Sequence, residues 1–505
     1  MKVATATTED SQNISFFLNI RLAWPERTCH SWSITRGRSF ARMNVWKRLL
    51  TVLLLGETLA LSQVPATKAA GASPQATALT RGGHAGLGAI TATDERIAVL
   101  QNQVKESPDD YSRYDHLGAA YFQKARETGD IAYYELAEKT LNRSVALMPR
   151  NPTTVDPLVD LALVYMGEHR FTDALISTQQ AIAAGTGNLV AFATEGDAYI
   201  DIGEYEQAAA AYDTLRTLGG AIASPLTLAY MADSRLSYLK FLSGETAESI
   251  RLMNQATVAA LQLNIPKENL AWLYYEWGQR YFQAGDLQHA DMAYSSALAA
   301  DPGHYRSLAG LAQVRAAQEK LDDSIKLYKA SVAIVPLPQY IADLGDIYLK
   351  TGQNREAQEQ YDLVEYIGHL GKLNQVLHNR DLALFYADRG MKLTEAVQLA
   401  RDELAVRQDI YTWDALAWVL FKNHQLPEAK QAIDKAQRLH TNDPILLFHA
   451  GMIEHALGND AAAQDDLRRA LAINPHFHIF YAQQAADTLA EVSHNQQMRS
   501  VNAAQ

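Results

Sequence analysis

The chain has 505 residues, with 45 Lys and Arg against 57 Asp and Glu for a formal net charge of −12, and 48% hydrophobic and 20% charged residues. That balance is globular; it excludes collagen-like, disulfide-rich and wholly disordered classes, and its sign is wrong for sequence-independent binding to nucleic-acid phosphates. The single cysteine, Cys29, excludes an internal disulfide framework and any cysteine-based zinc site.

Residues 1–42 carry no apolar periodicity of useful length and read as lying outside the native product, with translation starting at Met43. Over 43–62, Lys47 and Arg48 precede a mostly apolar run from Leu49 to Leu61, and Ala60-Leu61-Ser62 offers small residues for cleavage. This three-part pattern predicts a secretory signal peptide. The run is shorter than the ~20 apolar residues of a membrane-spanning helix, and it contains Glu57. The expected location is therefore exported, periplasmic or extracellular, with no transmembrane anchor in the mature chain. Residues 63–92, rich in Ala, Thr, Gly and Pro, read as a flexible linker.

From residue 93 the chain repeats a two-helix unit. Its clearest copy is Trp277-Gly278-x2-Tyr281-x3-Gly285-x4-Ala290-x3-Tyr294-x2-Ala297-x4-Pro302. Small residues at Gly278 and Ala290 sit where helices A and B of the unit cross, while the aromatics line the helix faces at i, i+3 or i+4 spacing. The helix A position recurs ten times from Gly118 to Gly451, and the helix B position ten times from Ala137 to Ala463. Nine of the ten pairs are separated by 12 residues; the first is separated by 19, and the extra residues around Glu127–Tyr134 are expected to lengthen its turn. Further extra residues at Ala221–Thr227, Leu261–Glu268 and Tyr366–Gln375 read as loops or helix extensions. Repeats one to seven occupy 93–365. Repeats eight to ten with a capping helix occupy 366–492, and a break into two sub-solenoids is allowed between them. Residues 493–505 read as a disordered tail.

This spacing resembles the tetratricopeptide repeat (TPR), whose period is ~34 residues. The C-terminal stretch also resembles exported bacterial TPR proteins of undefined function, through Asp381–Gly390, Asp414–Trp418, His449–Ile453 and Asn474–Phe477. The resemblance implies an all-α fold, an α-α superhelical solenoid of about ten TPR-type helix pairs. It implies binding of proteins or peptides and no defined reaction.

In the register of that family, helix A positions 2, 5, 6, 9, 12 and 13 face the concave groove. The fourth repeat then presents Tyr238 and Phe241, the fifth Trp272, Tyr275, Gln279 and Phe282, and the ninth Tyr411, Trp418 and Phe421. These nine are the candidate peptide-binding residues, unless extra loops or the closing superhelix cover them. Aromatics there give large contact area at low entropy cost. Asp156, Asp160, Asp197, Asp201, Asp343 and Asp346, with Lys350, make the rest of the groove polar and favour a basic or neutral peptide. No three consecutive repeats supply the Lys, Asn and Arg set that holds a chaperone C-terminal carboxylate.

No phosphate-binding loop, nucleophile elbow or His-Glu-x-x-His motif occurs. His449, His455, His476 and His478 cluster in sequence, but a metal site needs three of them to converge. The expectation is no catalytic residue, no metal and no cofactor. The function expected is a non-enzymatic scaffold binding a protein or peptide in the concave groove, in the cell envelope. The alternatives are a metal-binding protein or metal-dependent enzyme using the C-terminal histidines, and a structural subunit of an envelope assembly. Partner identity and oligomeric state are not legible.

Overall fold

In a computed structural model, the described residues are 92–504 except 129, 150–153, 186 and 374–378. The leader at 1–42, the signal-like segment, the linker up to residue 91 and Cys29 lie outside the described residues. Among those described there are only helices and connections, without a strand.

An opening helix α1 (Ala92–Glu106) belongs to no pair. Ten antiparallel pairs follow it. The first three are α2 (Tyr111–Thr128) with α3 (Ala132–Leu147), α4 (Asp156–Gly167) with α5 (Phe171–Ala183), and α6 (Leu189–Asp201) with α7 (Tyr205–Ile222). In the fourth repeat a short α8 (Pro225–Leu228) and a π-turn (Ala229–Asp233) lead into α9 (Ser234–Leu242), which pairs with α10 (Thr246–Leu263). The fifth to seventh are α11 (Lys267–Gln283) with α12 (Leu287–Ala300), α13 (Tyr305–Ala317) with α14 (Leu321–Ile334), and α15 (Pro338–Lys350) with α16 (Asn354–Leu373). The last three are α17 (Asn379–Asp388) with α18 (Leu393–Val406), α19 (Ile410–Lys422) with α20 (Leu426–Ala436), and α21 (Pro444–Ala456) with α22 (Asp460–Ile473). Helix α23 (Tyr481–Ala504) packs on the last pair.

The small-residue positions do what the spacing requires. All ten helix B positions, from Ala137 to Ala463, are at most 1% exposed. A Cβ on Gly118, Gly196, Gly278, Gly345 or Gly451 would strike Leu141, Tyr212, Tyr294, Tyr361 or Leu467 respectively, in each case the residue four beyond the helix B small position. Tyr294 also fills the space over Gly310 of the next repeat, so one ring locks two units together. Burying a side chain of that size is worth about 1.5–3 kcal/mol. Where serine replaces the small residue, its hydroxyl is satisfied: Ser237 donates to the Ser249 carbonyl at 2.7 Å and Ser324 to the Ala312 carbonyl at 2.8 Å.

Helix starts follow capping chemistry. Asn188 accepts from the N–H groups of Val190 and Ala191, Asp409 from Thr412, and Asp443 from Ile445 and Leu446. Pro338 and Pro444 open their helices, where a missing N–H costs nothing.

Three expectations need correction. The extra residues of the first repeat lie in its helices: α2 runs on to Thr128, and α3 begins at Ala132. The boundary at 365/366 falls inside α16, and a single hydrophobic cluster contains Ile200, Ile341, Val364, Leu382, Trp418 and Ala485 from both sides of it. The segment expected as a disordered tail is helical to Ala504, because 481–504 contains neither Gly nor Pro to stop the helix begun at Tyr481.

Candidate functional site

The superhelix turns back on itself, and the contact is in register. At the ends of α6, α9 and α11, helix A of the third, fourth and fifth repeats leaves C-terminal carbonyls without intrahelical partners. Gln408 N–H donates to the Asp201 carbonyl at 2.9 Å, the Thr441 hydroxyl to the Leu242 carbonyl, and Asn474 Nδ2 to the Phe282 carbonyl at 2.7 Å. Each donor comes from the connection that follows a helix B five repeats further on. Arg438 donates to the Gly203 carbonyl, and Asn442 Nδ2 to the Gly244 carbonyl at 2.8 Å.

The turns that make this seam are all glycine. Gly203, Gly244 and Gly285 have φ of 78°, 76° and 79°, and a Cβ on any of them would lie under 3.0 Å from the carbonyl oxygen of Gln408, His440 or Ile473 respectively. His169, Glu319 and His424 hold the same left-handed conformation at the equivalent turns of the second, sixth and ninth repeats. Left-handed backbone alone therefore does not demand glycine here; close approach at the seam does.

The seam borders a half-open cavity of about 410 Å³ between helix A of repeats three to ten and the start of α23. Six of the nine expected binding residues line it: Tyr238, Trp272, Tyr275, Gln279, Phe282 and Tyr411. Tyr275 and Phe282 are buried at 8% exposure, so they form wall rather than open groove. Phe241, Trp418 and Phe421 do not line it. Phe241 is fully buried beneath the Arg280 guanidinium at 4.4 Å. Trp418 is 1% exposed, donates from Nε1 to Asp388 at 2.7 Å and stacks on His449 at 4.1 Å, with half-buried Phe421 stacked on it at 5.1 Å.

The groove register, applied to the other repeats, finds most of what was missed. It marks Arg306 and Gln313 in the sixth repeat, Asp381, Phe385, Asp388 and Arg389 in the eighth, and Ile445 and His449 in the tenth, all of which line the cavity. Phe477, His478 and Tyr481 carry no such signal, since they arrive from the connection to α23 and its first residue.

The cavity is rich in carboxylates. Asp201, Glu276, Asp343, Asp346, Asp381, Asp388, Asp409, Asp414 and Asp443 face Arg280, Arg306, Arg380 and Arg389. Arg280 pairs with Glu276 at 3.0 Å, Arg389 with Asp346, and Arg380 with Asp409 at 3.6 Å. Asp443 accepts from Tyr411 and Gln283 as well as capping α21. Of the other groove acids, Asp197 is consumed by Arg235 and the Tyr212 hydroxyl in a buried network.

The histidines do not converge. His449 Nδ1 lies 3.0 Å from both oxygens of Asp414, and His455 Nδ1 lies 3.4 Å from Asp460. His478 Nδ1 accepts from the N–H groups of Phe480 and Tyr481, and burial pushes the ring down to about 4. His476 only receives a cap from Asn474 at its backbone N–H. No group of three His, Cys, Asp or Glu among the described residues is arranged to hold a metal ion.

Burial also pushes carboxyls up. Asp201 reaches about 8 against the pull of Arg407, and Asp115 in the first repeat about 9, through burial and then the nearby Asp160 and Asp156. Both keep their protons in the folded chain at pH 7, whereas unfolded aspartates are ionised above about 4. The folded state therefore binds more protons, and stability falls as pH rises towards these raised values. Each such group contributes at most about 1.4 kcal/mol per pH unit. The expected result is a melting temperature that drops from pH 7 to pH 9 by several degrees, with a shallower drop in Asp115→Asn; a flat or rising profile in thermal scans contradicts it.

Comparison with known proteins agrees with this register. The family model described as tetratricopeptide repeat matches residues 275–337 and 415–476. No curated protein matches the chain. Among solved structures, the chain is similar to the human IFIT1 dimer with PPP-AAAA (12% identity, 75% of this chain and 86% of that one, TM-score 0.42). It is also similar to yeast Tom70 (12% identity, 81% and 98%, TM-score 0.35). A third is a tetratricopeptide repeat protein from Parabacteroides merdae (17% identity, 52% and 99%, TM-score 0.30). The stretches 275–337 and 415–476 thus match tetratricopeptide repeats, and the ten helix pairs stack in the one register those stretches share.

Proposed function

We propose that this protein is a non-enzymatic scaffold, exported to the cell envelope through its segment at 43–62, that takes an extended segment of a protein partner into the groove of its superhelix. The observation that carries the reading is convergence. Tyr238, Trp272, Tyr275, Gln279, Phe282 and Tyr411, from three repeats and both sides of the seam, meet on one cavity of about 410 Å³. Cavities of ~300–1,000 Å³ are of ligand size, and their aromatic walls supply contact area from rigid side chains. The seam along repeats three to five narrows that side of the groove, which favours a chain segment over a folded domain as the occupant.

The test is affinity capture from the envelope fraction, with the wild-type chain beside a Trp272→Ala/Gln279→Ala variant whose helical circular dichroism is unchanged. Both side chains are half-buried cavity residues, so their truncation changes the wall without opening the core. Partners held by wild type and lost at least tenfold from the variant support recognition in the groove. Equal capture by both moves binding to the outer face and ends this reading.

A further inference from the structure

Three arginines that line the cavity are ion-paired, and several of its carboxylates have no ion pair among the described residues. Arg280, Arg380 and Arg389 are each ion-paired with a wall carboxylate, and the Arg280 and Arg389 guanidiniums also lie over Phe241 and Phe385 at 4.4 and 4.3 Å. By contrast, Asp343, Asp381 and Asp388 have no ion-pair partner among the described residues. Asp343 receives only the Tyr328 hydroxyl at 3.2 Å, while Asp388 receives Trp418 Nε1 and the Tyr481 hydroxyl. Burial first, and then nearby Asp346, pushes Asp343 up to about 8, so it holds its proton at pH 7 until a cation beside it favours the charged form.

A second observation points the same way. His449 is 3% exposed and lines the cavity; its Nδ1 is held by Asp414, and its Nε2 has no hydrogen-bond partner among the described residues. A neutral imidazole that donates from Nδ1 to a carboxylate presents Nε2 as an acceptor. Nine carboxylates against four arginines leave the wall formally acidic, beside aromatic faces that attract cations.

We propose that the segment taken into the cavity is cationic, with a lysine or arginine side chain seated against Asp343, Asp381 and Asp388. This rests on the groove-binding reading above and names the chemistry of its occupant. Arginine suits the site best, since its fork donates to more than one carboxylate and its plane stacks on aromatic rings. A volume of about 410 Å³ holds a few residues of that segment.

Calorimetric titration of the purified chain with four probes separates the possibilities: acetyl-Ala-Arg-Ala-Arg-Ala-amide, the same peptide with Gln or with Glu in place of Arg, and spermidine. The arginine peptide is expected to bind at least tenfold more tightly than the glutamine peptide and to weaken as NaCl is raised. The glutamate peptide is expected not to bind. Asp343→Asn/Asp381→Asn should lose at least tenfold for the arginine peptide and leave the glutamine peptide unchanged. Asn at 343 still accepts from Tyr328, and a control substitution, Asp322→Asn, at the exposed Asp322 should change nothing.

Glutamine binding as tightly as arginine, or an unaffected double variant, overturns the cationic assignment while groove binding stands. Spermidine binding as tightly as the arginine peptide overturns its peptide character. Binding of none of the peptides, with partner capture insensitive to Trp272→Ala/Gln279→Ala, removes the groove reading and this inference with it.

Discussion

Gly285→Ala is expected to destabilise the protein by several times what Gly458→Ala costs. Both glycines sit at the turn after helix A with φ near 80°, so both substitutions pay about 1–2 kcal/mol for a left-handed non-glycine residue. Around Gly458 nothing lies within 4 Å of an added Cβ. At Gly285 the added carbon meets the Ile473 carbonyl oxygen, a backbone atom that cannot rotate away. The seam must part there, and with it goes the bond from Asn474 to the Phe282 carbonyl, leaving a helix end without its partner. Urea unfolding of the two variants measures the difference, and small-angle scattering reads the geometry. A larger radius of gyration in Gly285→Ala, and not in Gly458→Ala, is the expected signature of an opened superhelix. Equal losses in the two variants contradict a seam that matters to stability.

Arg235→Met is expected to cost about 3–5 kcal/mol at pH 8. Arg235 is 1% exposed, and its Nε and Nη2 both donate to Asp197, at 2.9–3.0 Å; its Nη1 donates to the Met231 carbonyl at 2.9 Å. Asp197 is 2% exposed and also accepts from the Tyr212 hydroxyl at 2.8 Å. Removing the arginine strands a buried carboxylate that already lies above its usual range, because burial outweighs the pull of Arg235. The sign of the pH effect follows. A carboxyl raised in the folded state holds its proton there and loses it on unfolding, so the penalty of the variant shrinks as pH falls. Denaturation at pH 8 and pH 5.5 should show the smaller loss at pH 5.5. Asp197→Asn added to Arg235→Met should recover part of the loss, since the amide oxygen still accepts from Tyr212 and carries no charge. A loss independent of pH, or no recovery in the double variant, contradicts this account.

The two predictions act on different links of the same chain of causes. Arg235 and Asp197 join neighbouring repeats, a contact between α6 and α9 that a linear solenoid of any curvature would contain. Gly285 and Asn474 join repeats far apart in sequence, a contact that exists only because the superhelix closes. A fault in the first weakens one interface between adjacent units, as in any quasi-one-dimensional array. A fault in the second changes the shape of the groove and hence what can enter it.

The sequence by itself determined the all-α class, the ten pairs, the residues at each helix crossing and the groove register. Those depend on contacts within one repeat or with the next, so a fixed spacing such as Gly278 to Ala290 encodes them locally. The same register carried six of nine candidate residues into the cavity and, extended to the sixth, eighth and tenth repeats, marks Arg306, Asp381 and His449 as well. Only the tertiary structure decided that Trp418 and Phe241 are core, that Tyr275 and Phe282 are walls, and that Phe477, His478 and Tyr481 join them. Superhelical curvature accumulates small rotations over many interfaces. The meeting of Gly203 with Gln408, or of Gly285 with Ile473, is therefore a property of the sum and is written in no single repeat.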